Sequence, residues 1–461
     1  AGSRGGPNGL RDHGSPEDRL SRRLPVIAIV GRPNVGKSTF FNRVIGSRRA
    51  IVDDRPGVTR DRNFAATDWG GRHFFIVDTG GVIEGSHEPL HRAIRHQAFA
   101  AVEEADVILF LVDGKDGVHP LDQALAEVLR KAAKPVLLVA NKIDNLPHDQ
   151  SHLDFWSLGM GEPIAVSALS GKGSGDLLDL VLSAIPEASD ADDTDDTIRV
   201  AVVGKPNVGK SSFVNRLIGE DRVVVSEVAG TTRDSIDTPF RYHGKNLVFI
   251  DTAGLRRHTK VKDSLEYYSA LRTERAVYES DVCVVLIDCS EEELHGQDVK
   301  ILQTAWEAGK AVILLANKWD LVEKDTMTSV DFQKTIRQRI PFLQWVPMVF
   351  TSALTGQRVR KCLDLILEVS EERQRRIETH EVNEIMEGLL HRQPPPLHRG
   401  RRVQVKYATQ ITAAPPTFAI FSNFPKALPA SYVRFLHNGF RDAWTFMGTP
   451  IRLRLRGGKE K

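Results

Sequence analysis

The stretch Gly31-Arg-Pro-Asn-Val-Gly-Lys-Ser38 decides the fold of this chain, because it returns as Gly204-Lys-Pro-Asn-Val-Gly-Lys-Ser211 with one residue changed. Both copies fit the pattern G-x-x-x-x-G-K-[ST], in which a glycine-rich loop between a strand and a helix cradles phosphates. Apolar runs that predict buried strands precede the two loops, and predicted helices over 40–45 and 213–218 follow them. The sequence therefore predicts two binding sites for a nucleoside triphosphate.

Each loop supplies two side chains whose chemistry is predictable. We expect Lys37 and Lys210 to reach the β- and γ-phosphates. We expect Ser38 and Ser211 to offer a hydroxyl ligand to Mg²⁺. The loop N–H groups turn inward on the phosphates, which the glycines permit.

The two loops mark an internal duplication. Gly31 and Gly204 lie 173 positions apart, and the loop threonines and strand-end aspartates described next repeat at the same distance. A constant spacing over three motifs indicates two copies of one domain, since solenoid repeats have periods of about 20–50 residues. Strands alternate with helices in both copies, which predicts two α/β domains with mixed, mostly parallel sheets covered on both faces.

Two further motifs follow each loop in register. Asp78-Thr-Gly-Gly81 and Asp251-Thr-Ala-Gly254 end predicted strands, where the aspartate can hold the Mg²⁺ shell and the glycine N–H can contact the γ-phosphate. Thr59 and Thr232 lie in polar loops that we expect to close over Mg²⁺ and to loosen after hydrolysis. Alone, D-x-x-G indicates no more than a turn, but after two phosphate loops it predicts a nucleotide switch.

A third pair of motifs predicts the choice of base. Asn141-Lys-Ile-Asp144 and Asn317-Lys-Trp-Asp320 follow apolar strands. A carboxylate can accept two parallel hydrogen bonds from the N1–H and the exocyclic amine of guanine, which adenine lacks. Asp144 and Asp320 therefore predict GTP rather than ATP, with Ser167-Ala168 and Ser352-Ala353 as backbone contacts to the guanine oxygen.

The full set of predicted site residues follows from these motifs. The predicted catalytic residues are Lys37, Thr59, Asp78, Lys210, Thr232 and Asp251, and the predicted Mg²⁺ ligands are Ser38, Thr59, Asp78, Ser211, Thr232 and Asp251. The predicted GTP contacts in the first copy are Gly31, Arg32, Pro33, Asn34, Val35, Gly36, Lys37, Ser38, Thr39, Asp78, Thr79, Gly80, Gly81, Val82, Asn141, Lys142, Ile143, Asp144, Ser167 and Ala168. Those in the second copy are Gly204, Lys205, Pro206, Asn207, Val208, Gly209, Lys210, Ser211, Ser212, Asp251, Thr252, Ala253, Gly254, Leu255, Asn317, Lys318, Trp319, Asp320, Ser352 and Ala353.

The 461 residues divide by composition into five parts. The predicted parts are a disordered tail (1–23), a first GTPase domain (24–186), an acidic linker (187–197), a second GTPase domain (198–370) and a basic α+β domain (371–461). Three cysteines without a C-x-x-C pair indicate reduced thiols. No apolar run reaches the length of a membrane span, and the N-terminus lacks the apolar centre of a signal peptide. We expect a cytoplasmic protein.

The C-terminal part carries a strong positive charge. From Arg392 onward there are 13 lysines and arginines against two acids, which indicates a partner made of nucleic acid. A basic face that is merely solvated, or that docks on acidic protein surface, is the alternative. Alternation over 451–456 places three arginines on one face of a strand. The predicted RNA contacts are Arg401, Arg402, Lys406, Arg452, Arg454 and Arg456.

All five GTPase elements in order, twice, resemble the translation-factor-like GTPases, and the whole layout resembles the bacterial tandem-GTPase ribosome-assembly factors called Der or EngA. The resemblance covers residues 25–456 and includes 405–410 (Val-Lys-Tyr-Ala-Thr-Gln), 415–418 and 448–452, which look like the KH-like domain of that family. No G-x-x-G occurs in 371–461, so the KH loop that clamps nucleotides is missing. We therefore expect phosphate and shape contacts with structured rRNA.

The resemblance implies GTP hydrolysis coupled to maturation of the large ribosomal subunit. We expect the protein to be a monomer. Val82 and Leu255 replace the glutamine that orients water in Ras-like enzymes, so intrinsic hydrolysis should be slow. In related GTPases an asparagine at the positions of Asn34 and Asn207 helps to ligate K⁺; the plain alternative is an asparagine that tolerates a tight turn. A GTPase that acts on a protein effector, or one that regulates RNA modification, is the alternative function.

Overall fold

The computed structural model describes residues 24–46, 64–82, 99, 101–145, 150–185, 197–219, 224–225, 238–251, 265–291, 294–323 and 328–457. The chain forms two compact units, one of which runs to Asp190, while the other holds most of the remaining residues. The predicted tail, Thr59, Thr232 and residues 252–255 lie outside the described residues, as does all of the predicted linker except Thr197. None of the described helices is long and apolar enough to cross a membrane.

The first unit is an α/β domain around a six-stranded sheet in the order β2-β3-β1-β4-β5-β6. β2 runs antiparallel to β3, and the other neighbours are parallel. The elements are β1 Val26–Val30, α1 Lys37–Gly46, β2 Phe64–Trp69, β3 Arg72–Asp78, β4 Val107–Asp113, α2 Pro120–Leu129, β5 Val136–Asn141, β6 Ile164–Ala165 and α3 Ser174–Ala184.

The sheet is buried on both faces, as continuous apolar strands require. Every residue of β1 and β4 is buried. Ile27 and Leu109 pack into one core with α1 and α3, while Ala28 and Phe110 pack into a second core with α2 on the opposite face. β1 ends at the carboxyl edge of the sheet, where ligands bind in open α/β folds. The first predicted phosphate loop therefore begins at the edge of the sheet where a ligand is expected.

The second α/β domain repeats this architecture around a seven-stranded sheet in the order β13-β12-β11-β7-β10-β9-β8. Again the sheet is mixed: β8, β9 and β10 are antiparallel neighbours and the rest are parallel. The elements are β7 Ile198–Val203, α4 Lys210–Ile218, β8 Val224–Val225, β9 Thr238–Tyr242, β10 Lys245–Ile250, α5 Leu265–Glu279, β11 Val282–Asp288, α6 Gly296–Glu307, β12 Ala311–Asn317, α7 Thr328–Arg339, β13 Met348–Phe350 and α8 Lys361–Gln374. The predicted fold class is confirmed.

The C-terminal domain is a three-stranded sheet with two helices against one face. Its elements are α9 Thr379–Arg392, β14 Val405–Thr412, β15 Thr417–Ser422, α10 Ala430–Ala443 and β16 Arg452–Gly457. β15 lies in the centre, antiparallel to β14 and parallel to β16. Phe418 and Ile420 of β15 and Leu436 and Phe440 of α10 form its core.

Residues 371–390, which the sequence pattern predicts as one helix, belong to two helices. α8 ends at Gln374, and α9 begins at Thr379. α8 packs into the core of the second α/β domain, so the predicted boundary between 370 and 371 falls inside a helix. Ile377 is buried in the C-terminal core, and its N–H donates to Gln410 Oε1 at 2.6 Å instead of to a helical carbonyl. This contact explains the break.

The C-terminal domain packs against the second α/β domain through a buried arginine. The Arg441 guanidinium, 4% exposed, lies over the rings of Trp306 and Trp345, with 5.4 and 4.7 Å from Cζ to the ring centroids. It donates hydrogen bonds to backbone carbonyls, including that of Thr449 at 2.6 Å. Burial lowers the pKa of Arg441 to about 9. The contact is stabilised by cation–π attraction in a desolvated place.

Candidate functional site

The phosphate loops have the shape that their glycines permit. In the first loop a Cβ on Gly31 would lie 2.3 Å from the Leu111 carbonyl oxygen. Gly36 has a φ of +96°, and a Cβ there would lie 2.3 Å from Asn141 Nδ2. Gly204 and Gly209 repeat both restrictions in the second loop. Only glycine fits these positions, because the loop lies against Leu111 of β4 and against Asn141, which ends β5 and begins the base motif.

The two loop lysines lie in the same place in both copies. Lys37 Nζ donates to the carbonyls of Gly31 and Arg32, both at 2.9 Å. Lys210 Nζ donates to the carbonyls of Gly204 and Lys205 at 2.8 and 2.7 Å. Burial lowers the pKa of Lys37, and it lowers the pKa of Lys210 to about 8. Each ammonium is held by neutral acceptors, so an anion in the loop would find a desolvated cation.

Two of the predicted Mg²⁺ ligands meet in the first copy. Ser38 Oγ donates to Asp78 Oδ2 at 2.5 Å, and the Gly80 N–H donates to Asp78 Oδ1 at 2.8 Å. A hydroxyl and one carboxylate are hard oxygen donors of the kind that Mg²⁺ takes beside phosphates and water, so the residues fit this ion. No group of three or more histidine, cysteine or acidic side chains suited to a metal occurs among the described residues.

Less of the metal site is described in the second copy. Asp251 has a left-handed φ of 54°, unlike Asp78, and it follows directly after β10. The predicted contacts Thr252, Ala253, Gly254 and Leu255 lie outside the described residues, as do Thr59 and Thr232. Of Gly81 and Val82, only the backbone is described. Their predicted roles stay predictions.

The asparagine of each base motif braces the site. Asn141 Nδ2 donates to the Val35 carbonyl at 2.8 Å, and its Oδ1 accepts from the Ala168 N–H at 2.9 Å. Asn317 makes the equivalent bonds to Val208 at 2.7 Å and Ala353 at 2.9 Å. Each asparagine therefore ties the phosphate loop to the Ser-Ala loop.

The two aspartates predicted to select guanine differ in their surroundings. Asp144 accepts from Lys115 Nζ at 2.7 Å and from Ser167 Oγ at 2.8 Å. These bonds hold the pKa of Asp144 below its usual value, so it is ionised and ready to accept. Asp320 is half-buried and makes no hydrogen bond or ion pair with the described part of the chain. The residue that corresponds to Lys115 is Ser290, whose hydroxyl donates instead to Asp288 Oδ1 at 2.6 Å.

The remaining motif residues differ in their burial and in their partners. Lys142 and Lys318 have left-handed backbones and donate to Asp113 and Asp288, each at 2.5 Å. Arg32 pairs with Asp116 at 2.9 Å, Lys205 pairs with Glu291, and Thr79 Oγ1 donates to the Ile29 carbonyl at 2.6 Å. The core holds Val35, Ile143, Val208, Trp319, Ala168, Ser352 and Ala353. Thr39, Ser212, Asn34, Asn207 and Pro206 are exposed, and Pro33 is half-buried.

Sequence reasoning missed one pair of site residues. Arg43 on α1 donates from Nε to the Ala168 carbonyl at 3.0 Å and from Nη2 to the Leu169 carbonyl. Arg216 on α4 donates to the Thr355 carbonyl at 3.2 Å. These arginines hold the Ser-Ala loops that are predicted to contact the base. The signal was available, because Asn-Arg-x-Ile-Gly follows both phosphate loops at the 173-residue spacing.

The predicted RNA contacts separate into two groups. The exposed residues are Arg401, Arg402, Lys406, Arg454 and Arg456. Arg452 is half-buried, and its Nη2 donates to the Glu307 carbonyl at 2.7 Å, against the second α/β domain.

Comparison with known proteins gives concordant results. Residues 26–142 and 199–318 match the family described as 50S ribosome-binding GTPase. Residues 376–456 match the KH-domain-like family of the C-terminus of EngA bacterial GTPase enzymes. The chain is 55% identical over 434 residues to the GTPase Der of Gemmatimonas aurantiaca, which covers 94% of this chain and 99% of that protein. It is 49% identical over 433 residues to the GTPase Der of Heliobacterium modesticaldum, with coverages of 94% and 98%.

Proposed function

The chain belongs to the 50S ribosome-binding GTPase family and carries the KH-like C-terminal domain of the EngA GTPases, and on this premise we propose that it couples GTP hydrolysis at two sites to assembly of the large ribosomal subunit. Hydrolysis of GTP and a part in ribosome assembly follow from family membership. The large subunit as the particle, rRNA as the contact, a monomeric state and a cytoplasmic location are our proposals.

The observation that carries the proposal is the repetition of one braced site. In both copies a lysine is held on two loop carbonyls and an asparagine ties the phosphate loop to the Ser-Ala loop. Two sites with the same brace can bind the same nucleotide, and a basic domain on the same chain can contact RNA.

Different residues bind the phosphates, hold the metal ion and recognise the base. Lys37 and Lys210 bind the phosphates from desolvated positions, where their charge acts most strongly on negative charge that develops in the transition state. Ser38 and Asp78 would hold Mg²⁺, which supplies neutralising charge at the phosphates when bound. Asp144 and Asp320 orient the nucleotide by its base. Since Val82 and Leu255 cannot position water, we expect slow intrinsic turnover.

The function is tested by co-sedimentation with isolated ribosomal particles over a salt series. We expect binding to large subunits that requires a GTP analogue, is lost with GDP, and falls steeply as salt rises because phosphate contacts release counterions. Small subunits serve as the matched control. Sedimentation with neither particle in any nucleotide state would refute the proposed role.

We propose that Asn34 and Asn207 ligate K⁺ beside the phosphates. Both side chains are exposed at the tips of the loops, and both backbones are left-handed, with φ of 68° and 64°. GTP turnover is expected to be about tenfold or more faster in KCl than in NaCl at equal ionic strength, since an added cation replaces an arginine finger. Asn34→Gly with Asn207→Gly keeps the left-handed turn but removes the ligand. Stimulation that survives this double change would show that the asparagines serve the turn alone.

Arg43 and Arg216 are expected to position the base-contact loops. Arg43→Ala should weaken GTP binding at the first site by roughly tenfold, since two hydrogen bonds from a charged donor are lost at a partly exposed place. Arg216→Ala should cost less at the second site, where one bond is recorded. Titration with fluorescent GTP and ATP checks this. Equal losses for both nucleotides would exclude a role in base selection.

Nucleotide binding at the second site should weaken at alkaline pH. Burial lowers the pKa of Lys210 to about 8, so the side chain is mostly charged below pH 8 and mostly neutral above it. Bound phosphates favour the charged form, so binding takes up a proton and the affinity falls by roughly tenfold between pH 7 and 9. The GTP affinity of a Lys37→Ala background is measured against pH. A Lys210→Arg control, which cannot titrate there, should give a flat profile; a flat profile with Lys210 itself would contradict the expectation.

A further inference from the structure

The outer face of the C-terminal sheet carries aromatic side chains, which packing of the core does not require. The two helices pack on the opposite face, where Phe418 and Ile420 enter the core. Side chains alternate along a strand, so Phe421 of β15 and Tyr407 of β14 point away from those helices. An aromatic residue on the solvent side of a small sheet needs a reason beyond core packing.

The two aromatic rings form one cross-strand stack. Tyr407 and Phe421 are partners in the antiparallel register of β14 and β15. Their ring centroids lie 4.3 Å apart with an angle of 12° between the planes, so the rings are stacked face to face across the strands. Tyr407 is 44% exposed. Cross-strand stacking stabilises the sheet, but it also leaves a ring face open to solvent.

Two arginines continue this surface on the next strand. Arg456 of β16 is the register partner of Phe421, and Arg454 is the partner of Ala419. Both arginines are exposed, and within the described part of the chain neither makes a hydrogen bond or ion pair. We call Tyr407, Phe421, Arg454 and Arg456 the aromatic face.

We propose that the aromatic face binds single-stranded RNA by stacking unpaired bases on its rings, a contact that rests on the proposed function and specifies it. Every base has a π-face, and protein aromatic rings and guanidinium planes bind unpaired bases in this way. The two arginines reach the neighbouring phosphates. A duplex hides its base faces, so it engages the arginines but not the rings. The missing G-x-x-G loop is thereby replaced by a different surface of the domain.

The test uses the full chain, a labelled 12-mer of uridines and a 12-base-pair RNA duplex in fluorescence anisotropy. Tyr407→Leu and Phe421→Leu should each weaken binding of the 12-mer by about tenfold, the loss typical of one stacking residue, and leave duplex binding unchanged. Tyr407→Phe keeps the ring and should keep the affinity. Arg454→Gln with Arg456→Gln should weaken both probes and reduce the salt dependence.

The controls separate base stacking from a structural role. Trp156 is 52% exposed in the other unit, and Trp156→Leu should change neither affinity. GTP turnover and thermal unfolding should show that the leucine variants are folded. A 12-mer with 4-thiouridine should crosslink to Tyr407 or Phe421. Unchanged 12-mer affinity in Tyr407→Leu, or equal losses for 12-mer and duplex, would overturn the stacking proposal.

The same variants distinguish this proposal from the proposed function. If the wild-type chain sediments with large subunits and Tyr407→Leu does so equally, with equal 12-mer affinity, only the stacking proposal fails. If the wild-type chain binds no ribosomal particle, the proposed function fails whatever the 12-mer shows. If the wild-type chain does not bind the 12-mer, the aromatic face is a surface for another partner and the stacking proposal is overturned.

Discussion

Lys210→Ala is expected to reduce GTP binding at the second site by roughly 10²–10⁴-fold and to leave the first site intact. The ammonium lies on the Gly204 and Lys205 carbonyls, in position to donate to phosphate oxygens. Hydrogen bonds to charged partners contribute about 1.5–3 kcal/mol each, and two such bonds give this range. Lys37→Ala should reduce GTP binding at the first site by a similar factor and leave the second site intact.

Two control variants separate the loss of the charge from other effects of the substitution. Lys210→Met keeps most of the buried aliphatic volume, so a loss shared with Lys210→Ala comes from the charge and not from a cavity. Lys245→Ala removes an exposed lysine of β10 and should change nothing. The number of GTP molecules bound per chain, measured by calorimetry, should fall from two to one. A stoichiometry of two with undiminished affinity would refute the assignment of the second site.

The motifs could be predicted because each one is a local sequence with a local geometry. Gly36 and Gly209 have the left-handed backbone of a phosphate loop, and Asn141 and Asn317 end the strands that the apolar runs predicted. Alternating strands and helices sufficed for the α/β class. These features depend on neighbours within a few positions, which the sequence displays.

The other features depend on contacts between distant segments. Arg43 reaches a carbonyl 125 residues away, which only the folded chain brings near. The break after Gln374 contains no proline or glycine; it is imposed by Gln410 and by burial of Ile377. The alternation of side chains along a strand predicted that Arg452 shares a face with Arg454 and Arg456. However, Arg452 is the first residue of β16 and contacts Glu307 of the preceding domain. Such cases require the tertiary structure.

Asp144→Asn and Asp320→Asn are expected to change the base preference of their sites from guanine to xanthine. Guanine donates from N1–H and from its 2-amino group, and a carboxylate accepts both. Asparagine offers a donor in place of one acceptor, so it opposes the amino group of guanine and matches the 2-carbonyl of xanthine. A site built for hydrogen bonds rejects the mismatched ligand strongly, and we expect GTP affinity to fall by ~10³-fold or more.

The two sites should respond differently to this change, because their surroundings differ. Asp144 holds bonds to Lys115 and Ser167, and an amide at this position loses the ion pair with Lys115 as well. Asp320 makes no such bonds within the described residues, so Asp320→Asn alters base recognition alone. Xanthosine triphosphate should therefore restore the affinity and turnover of the second site more fully than those of the first. Competition of GTP, ATP and xanthosine triphosphate for each variant measures this, with Asp331→Asn as an exposed control. Retained GTP preference in Asp320→Asn would mean that the base is recognised by other residues, of which the Ser352-Ala353 backbone would be the first to examine.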